Sequence, residues 1–350
     1  MLNSKLNKNL YLIISTSCKI IIGKYRSVII DYDRDAIYYI KNEFAIVLNN
    51  YNRQTIRLME QSMDDEESLE NLHQFIDFLI DKEIIYLTST PENFPERTTE
   101  IKRTPSILDN LIIEIDGKFW NPELEKRVIE SISQCFVSDI QLRLFSFVEY
   151  AFISNLLKKI EEAGVKYIEL VCSLKHVPSI DSIKLLLTET PLLSAVYIFE
   201  TEMSFHENVS NDSEVEAITY GDLYLIKDKY TPNEICGIIN LHSLDFSGID
   251  AFNLLHKKNG CLYKKASIDT MGNIRNCPSL PQIWGNICNN ELLEIVAKDG
   301  FRQMWDIHKD LIEGCKDCEL RYCCSDCRAH VNLYAKPKQC MYNIDKGKWL

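Results

Sequence analysis

Residues 140–174 read IQLRLFSFVEYAFISNLLKKIEEAGVKYIELVCSL. Apolar, β-branched-rich runs at 140–145 and 167–174 enclose a helical stretch at 147–163, so the segment reads strand, helix, strand. Two strands joined through a helix of that length run parallel in one sheet, because only a crossover returns the chain to the same end.

The same unit recurs outward in both directions. LIIEI at 111–115 precedes a helix at 122–134; a helix near 179–188 precedes LSAVYIF at 193–199; and a further strand is expected at 236–241. Five or six such strands are too few to close an eight-stranded barrel. The class is therefore α/β, with a partial (β/α) barrel or open sheet over residues 107–250.

Upstream, residues 88–106 (TSTPENFPERTTEIKRTPS) carry three prolines and little apolar content, as a surface linker does. Residues 1–87 form a separate α+β module. Strands are expected at LYLIIS, KIII, SVIIDY and AIYYI, followed by short helical pieces and a longer amphipathic helix. In that helix Leu69, Leu72, Phe75, Ile76, Leu79 and Ile80 make one apolar stripe.

The chain has 350 residues, 46% of them hydrophobic, and a net charge of −12 from 51 acidic and 39 basic side chains. That composition supports real cores and excludes disorder. The acidic balance disfavours nucleic acid and anionic membrane as main partners. No run reaches the roughly 18 apolar residues of a membrane span, and Leu10–Ile14 is too short for a secretory signal, so a cytoplasmic location is expected.

Cysteine is unevenly placed. Four of the 13 (Cys18, Cys135, Cys172, Cys236) lie in the first 260 residues and nine fall between Cys261 and Cys340. In a reducing compartment such a cluster points to metal rather than disulfides. Cys261 is followed after ten residues by Gly272 and after four more by Cys277. Then come Cys315, Cys318, Cys324 and Cys327, spaced by two, five and two residues, and Cys340 after twelve more. A C-x2-C pair sets two thiolates on one tight turn, within reach of a common ion or cluster. Uncoordinated core thiols, structural zinc and iron–sulfur clusters all remain open on spacing, although this density argues against the first.

The pattern C-x10-G-x4-C, C-x2-C-x5-C-x2-C, C, and CKDCELRYCCSDCRA above all, resembles the SPASM domain of radical SAM peptide-modifying enzymes. One departure is the spacing of the last pair, which is two residues here and three in many members. The resemblance covers roughly the last quarter of the chain and implies a SPASM domain over 251–350 with two [4Fe–4S] clusters. Cys261, Cys277 and Cys327 would serve the first and Cys315, Cys318, Cys324 and Cys340 the second. The first then lacks a fourth ligand, for which His256, Cys236, Cys288, Cys323 or a bound peptide thiol are candidates.

The parent family carries C-x3-C-x2-C after its first barrel strand. Here LIIEI is followed by DGKFWNPELEK, without cysteine, and the motif occurs nowhere in the chain. No phosphate loop, nucleophile elbow or His-Glu-x-x-His site takes its place. Residues 107–250 therefore read as a degenerate radical-SAM-like half-barrel with no catalytic residues assigned. This combination resembles the SPASM-domain maturases of grasp-with-spasm systems, which accompany an ATP-grasp ligase and a ribosomally made precursor peptide. The resemblance implies that residues 1–87 are a winged-helix-like precursor-recognition module. It would bind a leader peptide as an added strand between Ala36–Ile40 and the helix Leu69–Glu83, with one of Tyr38 and Tyr39 facing inward and the other facing the peptide. An accessory maturase, an unconventional redox or radical enzyme acting on a peptide, and a zinc-bound interaction protein are the three readings that follow.

Overall fold

The computed structural model describes residues 7–96, 99–210, 219–231, 239–325, 327–329 and 331–350. In the N-terminal region β1 (Tyr11–Ile14), β2 (Cys18–Ile22), β3 (Ser27–Asp31) and β4 (Ala36–Ile40) precede α1 (Asn42–Tyr51), α2 (Ile56–Glu60), α3 (Glu66–Asp81) and β5 (Ile85–Thr88). The four expected strands form, but not as one sheet. β2, β3 and β4 make an antiparallel meander, while β1 pairs antiparallel with β5.

α3 starts where the Asp65 side chain accepts the Ser68 N–H at 2.7 Å, satisfying a donor that the first turn leaves unpaired. It buries Leu72, Phe75, Ile76 and Leu79 against Leu12, Leu48, Ile56 and Met59. Leu69 and Ile80 of the expected stripe sit at its rim, half-buried and exposed respectively.

The large sheet is built from β6 (Asn110–Ile115), α4 (Pro122–Gln134), β7 (Asp139–Leu144), α5 (Tyr150–Glu162), β8 (Tyr167–Ser173), α6 (Ile180–Glu189) and β9 (Leu193–Phe199). β10 (Phe205–Ser210), β11 (Thr219–Ile226), α7 (Ile249–Leu255), β12 (Lys265–Ile268), β13 (Asn273–Arg275) and β14 (Gly285–Asn286) follow, then α8 (Leu292–Ala297) and α9 (Asp299–Gln303). The strand order is β10-β11-β9-β8-β7-β6-β12-β13-β14, and the run from β11 to β12 is parallel throughout. The chain is thus a mixed α/β protein with a large, mainly parallel sheet. The hairpin β10–β11 was not expected from sequence. Of the strand expected at 236–241, residues 236–238, Cys236 among them, fall outside the described residues; Ile239 forms an isolated bridge with Cys340, and Leu241 begins a 3-10 turn instead of continuing a strand.

Alternation along these strands separates two faces. Leu111, Ile113, Ile140, Leu142, Ile168, Leu170, Val196 and Ile198 join one core with Leu124, Val128, Ile153, Leu157, Ile183 and Leu187 of the crossover helices. The opposite face is polar, with Glu114 in register with Arg143 and Gln141 with Glu169. α4 begins with Pro122 and with Asn121 capping the Glu123 and Leu124 N–H groups, which fixes the loop after β6.

A third core joins the two ends of the chain. Ile21, Val28, Ile30 and Tyr32 of the meander pack with Phe252, Leu320, Tyr322, Cys323 and Tyr342, the last from β15 (Tyr342–Asn343), which pairs with β16 (Lys348–Trp349). The turn after β2 rests directly on the cysteine loop. A Cβ on Gly23 would lie 2.8 Å from the Glu319 backbone nitrogen, so only glycine fits there. Among the described residues no helix is long and apolar enough to cross a membrane.

Candidate metal centre

Four of the seven singled-out cysteines surround one small cavity. Cys315, Cys318, Cys324 and Cys340 line it together with Lys309, Arg321, Lys336 and apolar Ile239, Pro337 and Ile344. Successive turns place the first three: Cys315 N–H bonds Ile312 C=O at 3.0 Å, Cys318 N–H bonds Cys315 C=O at 2.9 Å, and Arg321 N–H bonds Cys318 C=O at 3.3 Å. Gly314, at φ +79°, supplies the left-handed residue that starts this run. The last two thiols are held from one segment, since Leu244 bridges Cys324 and Ile239 bridges Cys340.

The electrostatics of the set suit a cationic core. Burial pushes the Cys318 thiol up, and the neighbouring Glu319, Cys324 and Cys315 push it further. Thiols that oppose one another's ionisation become thiolates together when a metal supplies the positive charge. The Lys309 ammonium lies 3.6 Å from Cys324 Sγ. Among the described residues no three Cys, His, Asp or Glu side chains converge tightly enough to hold a lone metal ion. The four thiols flank a space instead of meeting at a point.

Cys261, Cys277 and Cys327 are framed differently. Asn259 Oδ1 accepts the Cys261 and Leu262 N–H groups while its amide donates to Ile307 C=O. Asn276, beside Cys277, donates to Phe301 C=O and accepts the Trp284 indole N–H. Both cysteines are therefore hung from the 301–307 segment, where Trp305 also packs. Cys277 is buried in the large core, Cys261 and Cys327 are half-buried, and the Lys265 ammonium lies 3.8 Å from Cys261 Sγ. A Cβ on Gly260 would lie 3.9 Å from Ser325 Cα, which brings the Cys261 turn close to the chain leading to Cys327.

Of the candidates for a fourth ligand, Cys323 is fully buried in the third core and gives its S–H to Leu320 C=O. Cys288 is exposed. His256 is stacked on Phe252, and its buried Nδ1 has no hydrogen-bond partner. Cys18, Cys135 and Cys172 are buried, their thiols pushed up by burial to about 11, 12 and 12.

At the carboxyl ends of the parallel strands, the loop after β6 runs Asp116–Asn121 and is held by Ser146 Oγ, which accepts the Gly117 N–H at 2.7 Å. Tyr230 closes the neighbouring mouth, packed among Phe145, His176 and Phe199 and donating to Val171 C=O. On the polar face Arg143 donates to Gln141, and Gln141 to Glu169. The Glu114 carboxyl is pushed up to about 7 by burial, with Arg143 pulling the other way. Sequence reading passed over these groups, although Gln141 and Arg143 alternating with apolar residues in IQLRLF, and the lone carboxylates Glu114 in LIIEI and Glu169 in YIELV, were the signal.

In the N-terminal region β4 is an edge strand of the meander. Tyr38 turns inward, edge-on to Phe78 of α3, whereas Tyr39 is 43% exposed with the Arg26 guanidinium 3.5 Å above its ring. A separate cleft of about 770 Å³, lined by Ile13, Lys19, Ile20, Asn49, Arg53 and Tyr86, opens beside β2.

The fold and site define a mixed α/β protein with a cysteine-lined cavity near its C-terminus. Among solved structures the chain is similar to Streptococcus suis SuiB, at 14% identity over 94% of this chain and 99% of that one, with a TM-score of 0.39. It is also similar to SuiB bound to S-adenosylmethionine (TM-score 0.36) and to SuiB bound to precursor peptide SuiA (0.34), each at 14% identity over 90% of this chain and 94% of that one. At these values the likeness assigns no residue a role. No protein-family profile and no curated protein matches the sequence.

Proposed function

We propose that this chain is an accessory component of a peptide-maturation system, working beside an ATP-grasp ligase on a ribosomally made precursor. Residues 1–87 form its winged-helix-like recognition module, residues 88–106 a linker, residues 107–250 a half-barrel without a conventional radical SAM site, and residues 251–350 a SPASM domain. Cys315, Cys318, Cys324 and Cys340 hold one [4Fe–4S] cluster; Cys261, Cys277 and Cys327 contribute three thiolates to a second. Bound there, the clusters supply one-electron chemistry or rigid cross-links between distant loops.

The observation that carries this reading is the gathering of the four thiols around one cavity, in the grouping that the motif implies. The leader peptide docks along the free edge of β4 beside α3, with Tyr39 as its exposed contact.

Anaerobic purification tests the metal part. A brown protein with about eight irons per chain is expected, and a colourless one with about two zinc ions overturns the cluster assignment. Reconstitution with precursor and ligase tests the role: crosslinking that proceeds unchanged without this chain removes it from the system.

A further inference from the structure

β4 offers two different flanks to a strand added at its edge. Its residues alternate, so Tyr38 and Ile40 turn into the module's own core, beside Phe78 of α3, whereas Ile37 packs into the core shared with Leu320, Tyr322 and Cys323. Tyr39 lies on that second face, in register with Val28. A peptide strand added along β4 continues the pleat, so alternate side chains meet α3 and the others meet the face turned to the cysteine loop.

A guanidinium stands on that second face. Arg26 Cζ lies 3.5 Å above the Tyr39 ring, its Nε donates to Glu319 Oε1, and its Nη2 donates to the Tyr342 hydroxyl and to Gly347 C=O. Glu319 is fully buried and directly follows Cys318, one of the cavity thiols. A Cβ on Gly347 would lie 3.2 Å from Arg26 Nε, so the chain's last turn closes tightly on the same group. From the other side, Arg321 Nη1 donates both to Ile22 C=O at the end of β2 and to Cys318 C=O. Burial pushes the Tyr39 hydroxyl up, Arg26 pulls it down, and Glu319, Cys323 and Cys318 push it further up, which puts the ring in the field of the cysteine loop.

We infer that the peptide groove has a second wall, made by Tyr39, Arg26 and Glu319, and that through it the binding of an extended peptide at β4 is coupled to metal retention at Cys315, Cys318, Cys324 and Cys340. The inference rests on the readings of β4 as a leader site and of these four thiols as metal ligands. A guanidinium held between a ring and a buried carboxylate has one position that satisfies both partners. Loss of metal frees the turns at 315–321 and with them the Glu319 end. A peptide that fixes Tyr39 holds the guanidinium, and therefore Glu319, in place. Two sites that bias one shared element favour each other's occupation.

The test uses the full chain, loaded with metal anaerobically, and a fluorescein-labelled peptide copied from the leader of the precursor that the reconstituted system crosslinks. Metal loss to a chelator is timed without peptide and at saturating peptide, the saturating concentration being set for each variant by anisotropy. In wild type the peptide is expected to slow metal loss about fivefold. In Arg26→Met and Tyr39→Leu the peptide no longer changes the rate, because either substitution breaks the wall. Tyr38→Ala, on the α3 side of the same groove, weakens peptide binding and keeps the wild-type ratio.

Wild-type metal loss at one rate with and without bound peptide overturns the coupling and leaves both readings standing. A ratio lost equally in Tyr38→Ala and Tyr39→Leu overturns the route through Arg26. A peptide that does not bind the wild type removes the coupling together with the leader site, and a chain that retains no metal removes it together with the metal centre.

Discussion

Arg26 Nε donates to Glu319 Oε1 at 3.0 Å, joining residues 293 apart in sequence. Glu319 directly follows Cys318 and is fully buried, and its Oε1 also accepts the Tyr342 hydroxyl. Arg26 reaches on to Gly347 C=O, and Lys24 N–H bonds Asp317 C=O at 2.7 Å. The hairpin of the proposed recognition module is therefore packed against the loop that carries Cys315 and Cys318. Arg26→Met leaves a buried carboxylate with one partner fewer and should cost about 2 kcal/mol, read as a lower urea midpoint at unchanged slope. Faster metal loss from the same variant is expected, and unchanged retention would separate the hairpin from the centre.

The adjacent Cys323 and Cys324 should behave oppositely. Cys323 fills an apolar core and bonds a backbone carbonyl, so Cys323→Ala should cost about 1 kcal/mol and keep all the metal. Cys324→Ala removes a cavity thiol and should lose about half of the iron. Elemental analysis of both variants decides this; equal loss from the two would undo the grouping of ligands.

Tyr38 and Tyr39 offer a second contrast between neighbours. Tyr38 packs on Phe78, so Tyr38→Ala should destabilise by about 2 kcal/mol. Tyr39→Ala should weaken leader-peptide binding about fivefold with a smaller effect on unfolding. Fluorescence anisotropy with a labelled leader measures the affinity. Equal affinity for wild type and Tyr39→Ala would move the groove away from the edge of β4.

Glu114 gives a pH signature. Its folded carboxyl, pushed up to about 7 from the ordinary 4.5, holds its proton while the unfolded chain has already released it. Stability from this group is full below about pH 4.5 and is lost as pH rises toward 7. Relative to Glu114→Gln, the wild type should lose about 2 kcal/mol across that window. Chemical unfolding at a series of pH values measures it, and parallel curves for the two proteins would place Glu114 in contact with more solvent or more cation.

Local pattern and distant pairing were unequally legible. The apolar, β-branched run LIIEI and the alternation of IQLRLF located β6 and β7 because both signals are written in adjacent residues. The same alternation said nothing about partners, so the pairing of β1 with β5 across the whole module was invisible. β10, with FHENVS mostly exposed, lacked the apolar signal of a strand. The cysteine spacing marked the pairs Cys315/Cys318 and Cys324/Cys327, and the grouping of Cys315, Cys318, Cys324 and Cys340 came from the resemblance to the SPASM domain. Lys309 and Lys265 escaped notice, since a lone lysine is no motif and its contact with sulfur exists only after folding. The third core was hidden for the same reason, its halves being written at opposite ends of the chain.

That shared core has a consequence for biosynthesis. Ile21, Val28 and Ile30 emerge from the ribosome roughly 300 residues before Leu320, Tyr322 and Tyr342, which cover them. At translation rates of 5–20 residues per second the hairpin waits roughly 15–60 s for its cover. During that interval an apolar strand face stands open to chaperones or to another nascent chain.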